Sequence, residues 1–343
     1  MTKSTETPTL NDDEDVPRST MPLEANFCMR GFASEEEAHK LGRPLWRTVH
    51  EIGRYIDLQR LDGVTVGCDY DDALASVDRG IEGLRPLSRS DGDVVGIAMS
   101  PAVLRDGVVK VHLVFGAGYL NGLAAEDQSD DLKFAVSVVA HECAHVEVIR
   151  LWDEAFPGTV LRTRYDDYES AIFGEIAEIC WEEYAACRIA APFSFGKSGD
   201  YAKGLVKVLD VAREKSNAAI RAYRDHGDID QVVNEAGSPL CAPLKLASYL
   251  LGQLDGSGRD WSVEAEARTS LETAGYATIV DRMHQHLRDL WEARGNWKSQ
   301  AQFQPLRDIA RSTFAAGGLH FEAGSTATSG YVRIPYTAET MPS

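Results

Sequence analysis

Between Phe134 and Trp152 the chain reads FAVSVVAHECAHVEVIRLW, an apolar run of helical character. Two histidines four residues apart, His141 and His145, lie on one face of such a helix about one turn apart. Their imidazole nitrogens can aim at a single point, and zinc accepts such nitrogens at roughly 2.0–2.1 Å. Glu142 follows the first histidine, where a carboxylate can take a proton from a water at the metal. The rest of the fold has to be built around this helix.

With 343 residues and 44% hydrophobic content, the chain can bury a full core as one large domain or two modest ones. Its formal net charge of -18 argues against nucleic-acid backbones and anionic membranes as partners. No 18-residue apolar run occurs, so no transmembrane helix is expected. The first 20 residues lack the apolar stretch of a signal peptide, which leads to the expectation of a cytoplasmic protein. The six cysteines show no CxxC spacing; Cys143, Cys180 and Cys187 fall in predicted helices and read as small buried hydrophobes.

Residues 1–26, rich in Thr, Ser, Pro, Asp and Glu, predict a disordered acidic tail. A helix is expected from Ser34 to about Gln59, with Ser34 and Glu37 as a capping box and Pro44 delaying its effective start. Strands are expected at Val64–Cys68, Val94–Met99 and Val109–Phe115, with a helix at Tyr70–Arg79. The alternation in Val109–Phe115 suggests an edge strand along a cleft, able to pair with an extended peptide, with His112 on its open face. Beyond a loop at Asp153–Asp167, a second long helix is predicted over Glu169–Ala191, stopped by Pro192. Helical segments then follow at Tyr201–Asp225, Pro239–Leu254, Val263–Ala274, Ala277–Ala293 and Gln304–Phe314. From Glu322 the Gly, Ser, Thr and Pro content points to a poorly ordered or extended tail.

A hydrolytic zinc site needs three protein ligands and an open position. A glycine at 148 and a third histidine at 151 would mark a metzincin; Val148 and Leu151 exclude that class. The second long helix offers Glu175, Glu178, Glu182 and Glu183. Ile172, Ile176, Ile179, Ala186 and Ala190 form a stripe that misses only position 183, so Glu183 is expected to point into the packed face. Glu175, Glu178 and Glu182 read as a solvated acidic flank. The competing role for Glu183 is a buried salt bridge to Arg150 or Arg188.

The sequence His141-Glu142-Cys143-Ala144-His145, followed by Glu183-Tyr184-Ala185-Ala186 on a second helix, resembles the gluzincin metallopeptidases. The second motif is similar to the Glu-x-x-Ala-Asp/Asn element of their HtpX-like and ImmA/IrrE-like branches. The resemblance implies His141, His145 and Glu183 as Zn2+ ligands and Glu142 as catalytic base. It spans only about residues 134–191. Cys187 stands where those branches carry Asp or Asn, so the usual partner of a ligand histidine is expected to be missing or to come from elsewhere.

The expected fold is α+β: a small mixed zincin-like sheet with the HExxH helix and the second ligand helix, followed by a mainly helical region that closes or flanks the cleft. The corresponding division is 1–26 tail, 27–193 metallopeptidase domain, 194–320 helical region and 321–343 flexible tail. The expected activity is hydrolysis of a peptide or protein substrate by a zinc-activated water. Candidates for stabilising the oxyanion are Tyr165, Tyr168, His284, His286 and His320. The alternatives are a zinc-binding regulatory protein without turnover, and a helical interaction protein with incidental histidines.

Overall fold

The computed structural model describes residues 16–89, 96–125, 129–161, 165, 167–194, 196–323 and 330–341. Residues 1–15 of the expected tail, and 94–95 of the expected strand at Val94–Met99, lie outside them. From Val16 onward the N-terminal segment is held against the first helix. Thr20 donates through Oγ1 to the Gly53 and Ile56 carbonyls, Ser19 donates to that of His50, and Met21 is buried.

Strand β1 (Asn26–Arg30) leads through helix α1 (Glu35–Ile52) into β2 (Leu61–Gly67). The Ser34 side chain caps α1 by accepting from the Glu37 amide. The helix passes through Pro44 without delay: Leu41, Leu45 and Val49 straddle the proline and are all buried, which outweighs its lost hydrogen bond. It stops at Gly53, short of Gln59, and Ile56 reaches the core from the turn that follows. Helix α2 (Tyr70–Ala75), capped by Asp69, is shorter than predicted.

Strands β3 (Ala98–Met99), β4 (Ala102–Arg105) and β5 (Val108–Gly116) complete a mixed sheet of order β1-β2-β5-β3, with β4 also on β5. The β1-β2 and β2-β5 pairs are parallel, whereas β3 and β4 run antiparallel to β5. The expectation of β5 as an edge strand is therefore overturned: it has neighbours on both sides. Alternation reports which faces are packed but not which edges are paired. His112 is correspondingly not at a cleft. Its Nε2 lies 2.9 Å from Thr65 Oγ1 and its Nδ1 2.9 Å from Asp62 Oδ2, inside the sheet layer.

Helix α3 (Asp130–Ala155), capped by Ser129, and helix α4 (Tyr168–Ala190), capped by Asp167, stand side by side between two cores. On the sheet side, Val139, Ala140, Cys143 and Ala144 of α3 pack with Leu45, Val64, Leu113 and Phe115. On the other, Trp152, Trp181 and Tyr184 pack into the helical half of the chain. That half consists of α5 (Lys197–His226), α6 (Ile229–Gly256), α7 (Ala265–Thr273), α8 (Ala277–Glu292) and α9 (Gln304–Ala316).

Helix α6 begins ten residues before the expected Pro239, because Val232, Val233 and Ala236 extend the same buried face that holds Leu240 and Leu244. Two glycines one turn apart then bring it onto α4. A Cβ at Gly252 would meet the Tyr184 carbonyl and Cys187, and one at Gly256 would meet the Arg188 carbonyl and Ala191. In the C-terminal segment, expected to be poorly ordered or extended from Glu322, strands β6 (His320–Ala323) and β7 (Gly330–Arg333) pair antiparallel. Beyond β7, Arg224 of α5 donates to the Ile334 and Pro335 carbonyls, and Arg221 to that of Glu339. The protein is thus a mixed α/β chain dominated by helices. No helix among the described residues is long and apolar enough to cross a membrane.

Candidate metal centre

The helical spacing on α3 places His141 and His145 on one face, and α4 brings Glu183 to meet them. The two Nε2 atoms are 3.2 Å apart. Glu183 Oε2 lies 3.3 Å from His141 Nε2 and 3.6 Å from His145 Nε2. All three side chains are only 12–14% exposed. Ligands at about 2.05 Å in a tetrahedron are separated by about 3.3–3.4 Å, so this triangle has the dimensions of one tetrahedral face. Glu183 Oε2 is buried and accepts no hydrogen bond, the condition of a carboxylate oxygen that awaits a cation. His141, His145 and Glu183 can therefore hold a metal ion.

The electrostatics of the group agree with that role. Burial opposes a charge on His145, but the Glu183 carboxylate 3.6 Å from its Nε2 prevails and raises it to about 9. Burial likewise works against the Glu183 carboxylate, yet the two imidazoles hold it well below the usual carboxylate range.

Neighbouring elements furnish the rest of the site. Glu142, one residue past the first histidine, is buried; its Oε2 accepts from Ser100 Oγ at 2.6 Å, and Ser100 also donates to the Glu142 carbonyl at 3.1 Å. Ser100 follows β3, the sheet edge nearest the centre. No local motif marks Ser100, because its link to Glu142 spans 42 positions of chain. From α6, Lys245 Nζ stands 3.4 Å from Glu183 Oε1, and the Tyr249 ring stacks on His141 at a centroid distance of 5.6 Å. Burial, then the nearby Glu183 charge, holds the Tyr249 hydroxyl well above its ordinary range. Lys245 could have been noticed as the single charged residue of the apolar stretch Pro239–Leu254, with Tyr249 one turn beyond it.

Several expectations about this region change. Glu183 is not paired with Arg150, which bridges Asp57 and Glu154, nor with Arg188, which lies 3.6 Å from Asp255. The stripe that singled out Glu183 is not a core face: Ile179 is exposed and Ile172 and Ile176 are half-buried, while Ala186 and Ala190 are buried. Glu183 sits where that line passes from the open side of α4 into the core. Of the supposed solvated flank only Glu175 is exposed. Glu178 accepts from the Tyr165 hydroxyl at 2.8 Å, and burial pushes Glu182 up to about 7 with Glu183 adding to the shift and His145 opposing it.

The suggested oxyanion donors have other partners or positions. Tyr165 serves Glu178, His284 is 2.9 Å from Asp255, Tyr168 is largely exposed, His286 is on α8, and His320 opens the β6–β7 hairpin. At the position where a partner for His141 was expected to be missing or to come from elsewhere, Cys187 Sγ stands 3.6 Å from His141 Nδ1. All six cysteines are free. In comparisons with known proteins, the chain matches no family model, no curated protein and no solved structure.

Proposed function

We propose that the protein is a zinc-dependent metallopeptidase with a zincin-like arrangement of α3 and α4, acting on a peptide or protein substrate. The observation that carries this reading is the buried triangle of His141, His145 and Glu183, with Glu142 fixed beside it. Two imidazoles and one carboxylate form a donor set that suits zinc and leaves a position for substrate or water. When bound, zinc supplies a Lewis acid that acidifies water and polarises a carbonyl.

The chain's own residues do the rest. Glu142 accepts the proton of the attacking water and returns it to the leaving amine; the Ser100 hydroxyl holds one carboxylate oxygen and leaves the other for that exchange. Tyr249 and Lys245, delivered by α6, are the hydroxyl and ammonium donors that border Glu183 and face developing negative charge.

A second reading, metal binding without turnover, is favoured by the Lys245–Glu183 contact, since an ammonium there also answers the buried carboxylate. Metal analysis of the purified chain, followed by peptide-library hydrolysis with and without chelator, tests the proposal. One zinc per chain and chelator-sensitive cleavage that is lost in Glu142→Gln are expected. Undiminished turnover by that variant would remove Glu142 from the mechanism. A zinc-loaded chain inert on all peptides would favour the second reading.

A further inference from the structure

We infer that Cys187 is a positioning residue for His141, its sulfur accepting the Nδ1–H so that Nε2 is presented to the metal. The inference rests on the metal-centre reading above. The contact, Cys187 Sγ to His141 Nδ1 at 3.6 Å, has the length of an N–H···S interaction, with Cys187 buried and the His141 side chain 14% exposed. In a neutral imidazole only one nitrogen carries a hydrogen. An acceptor at Nδ1 therefore favours the form in which Nε2, which points at His145 and Glu183, keeps its lone pair, against the pull of the Glu183 carboxylate 3.3 Å from Nε2.

Other contacts show that the arrangement is enforced from several sides. The Tyr249 ring lies over His141 at 29° between planes and fixes the imidazole face, and Tyr201 stacks in turn on Tyr249. Cys187 can occupy its place because α6 offers Gly252 there: a Cβ on that glycine would stand 2.9 Å from Cys187 Cβ. Three elements, α4, α5 and α6, thus cooperate in the orientation of one ligand on α3.

A thiol sulfur is a weaker acceptor than the carboxylate or carbonyl that most ligand histidines use. It fixes the tautomer while polarising the ring less, which leaves His141 a poorer electron donor. The centre is therefore expected to hold its metal less tightly than the same three ligands would with a carboxylate at this position.

The test separates the acceptor from the volume it fills, using the full chain. Cys187→Ser keeps an acceptor, Cys187→Ala removes acceptor and volume, and Cys187→Val restores volume without an acceptor. Zinc affinity is measured by competition with a chromophoric chelator, and the His141 tautomer in the zinc-free chain by 15N shifts of selectively labelled histidine. Serine should stay within about threefold of the parent affinity, whereas alanine and valine both fall by about tenfold or more. The share of the Nδ1–H form should be larger in the parent and serine chains than in the valine chain, where Glu183 beside Nε2 competes for the proton unopposed. Valine matching the parent in both measurements would overturn the inference and leave Cys187 as packing alone. If the parent and Glu183→Gln chains are alike in failing to bind zinc, the metal reading falls; the tautomer measurement still decides the role of Cys187.

Discussion

Substituting Gly252 by alanine gives a result whose sign is diagnostic. In an exposed helix interior the change would stabilise the protein by about 1 kcal/mol, because glycine pays more backbone entropy on folding. Here the new methyl would stand 2.9 Å from Cys187 Cβ and closer still to the Tyr184 carbonyl oxygen. Carbon atoms pack at about 3.5–4.0 Å, so α6 would have to retreat from α4 by something near 1 Å. Overpacking of this kind costs about 1–3 kcal/mol, and rigid backbone on both sides puts this site toward the upper end. After the propensity gain, a net loss of about 1–2 kcal/mol is expected, or a fall in Tm of roughly 1–3 °C for a chain of this length. Thermal unfolding followed by circular dichroism measures it. Gly199→Ala, where a methyl meets nothing within 4 Å, serves as the control and should be neutral or stabilising. Because Tyr249 lies within one turn of Gly252, zinc affinity should fall as well. A Gly252→Ala chain as stable as the parent would refute the close α4–α6 packing on which the site geometry depends.

Further outcomes follow from individual contacts. Glu183→Ala should abolish most zinc binding, whereas Glu182→Ala should retain it; equilibrium dialysis with metal analysis distinguishes them, and the reverse result would assign the wrong ligand. Because metal uptake must displace the proton on His145, whose pKa is raised to about 9, zinc affinity should rise about tenfold per pH unit and keep rising above pH 7. A plateau near pH 6.5 would show an unperturbed histidine. The same raised value means that His145 stabilises the zinc-free fold fully below about pH 6.5 and loses that contribution as pH climbs toward 9. Asp255→Asn should destabilise by about 2–4 kcal/mol in urea titration, since its 4% exposed carboxylate binds Tyr184, His284 and Arg288. These partners hold Asp255 well below the usual carboxylate range against the effect of burial, so its contribution is present above about pH 4 and disappears in stronger acid.

The triangle of His141, His145 and Glu183 was legible because helices have a short, rigid repeat. His141 and His145 could be placed on one face from spacing alone, and Glu183 could be picked out as the polar gap in a stripe. The stripe pointed to the right residue for an incomplete reason: Ile179 and its neighbours upstream border the open side of α4, and only Ala186 and Ala190 are core. Hydrophobicity patterns reveal a line on a helix but not whether another element covers it. The contacts that needed tertiary knowledge were less accessible. Ser100, Lys245 and Tyr249 reach the site from elements far away in sequence, and the central position of β5 depends on strand pairing that alternation does not encode. Pro44 and Pro239 misled in one common way, because buried apolar contacts around them outweigh the local cost of proline in a helix.

Because α3 and α4 form the wall between both cores, each half of the molecule is the other's missing layer. A break in the chain at residue 193 would strip Trp152, Trp181 and Tyr184 of the helices that cover them and leave a large aromatic face in water. The centre would lose Tyr249 and Lys245 in the same stroke. Melting of either layer should therefore dismantle the other, in one cooperative transition that metal loss accompanies. On the proposed function, an ion held in that wall would report on the integrity of both layers, because its release and their unfolding would coincide.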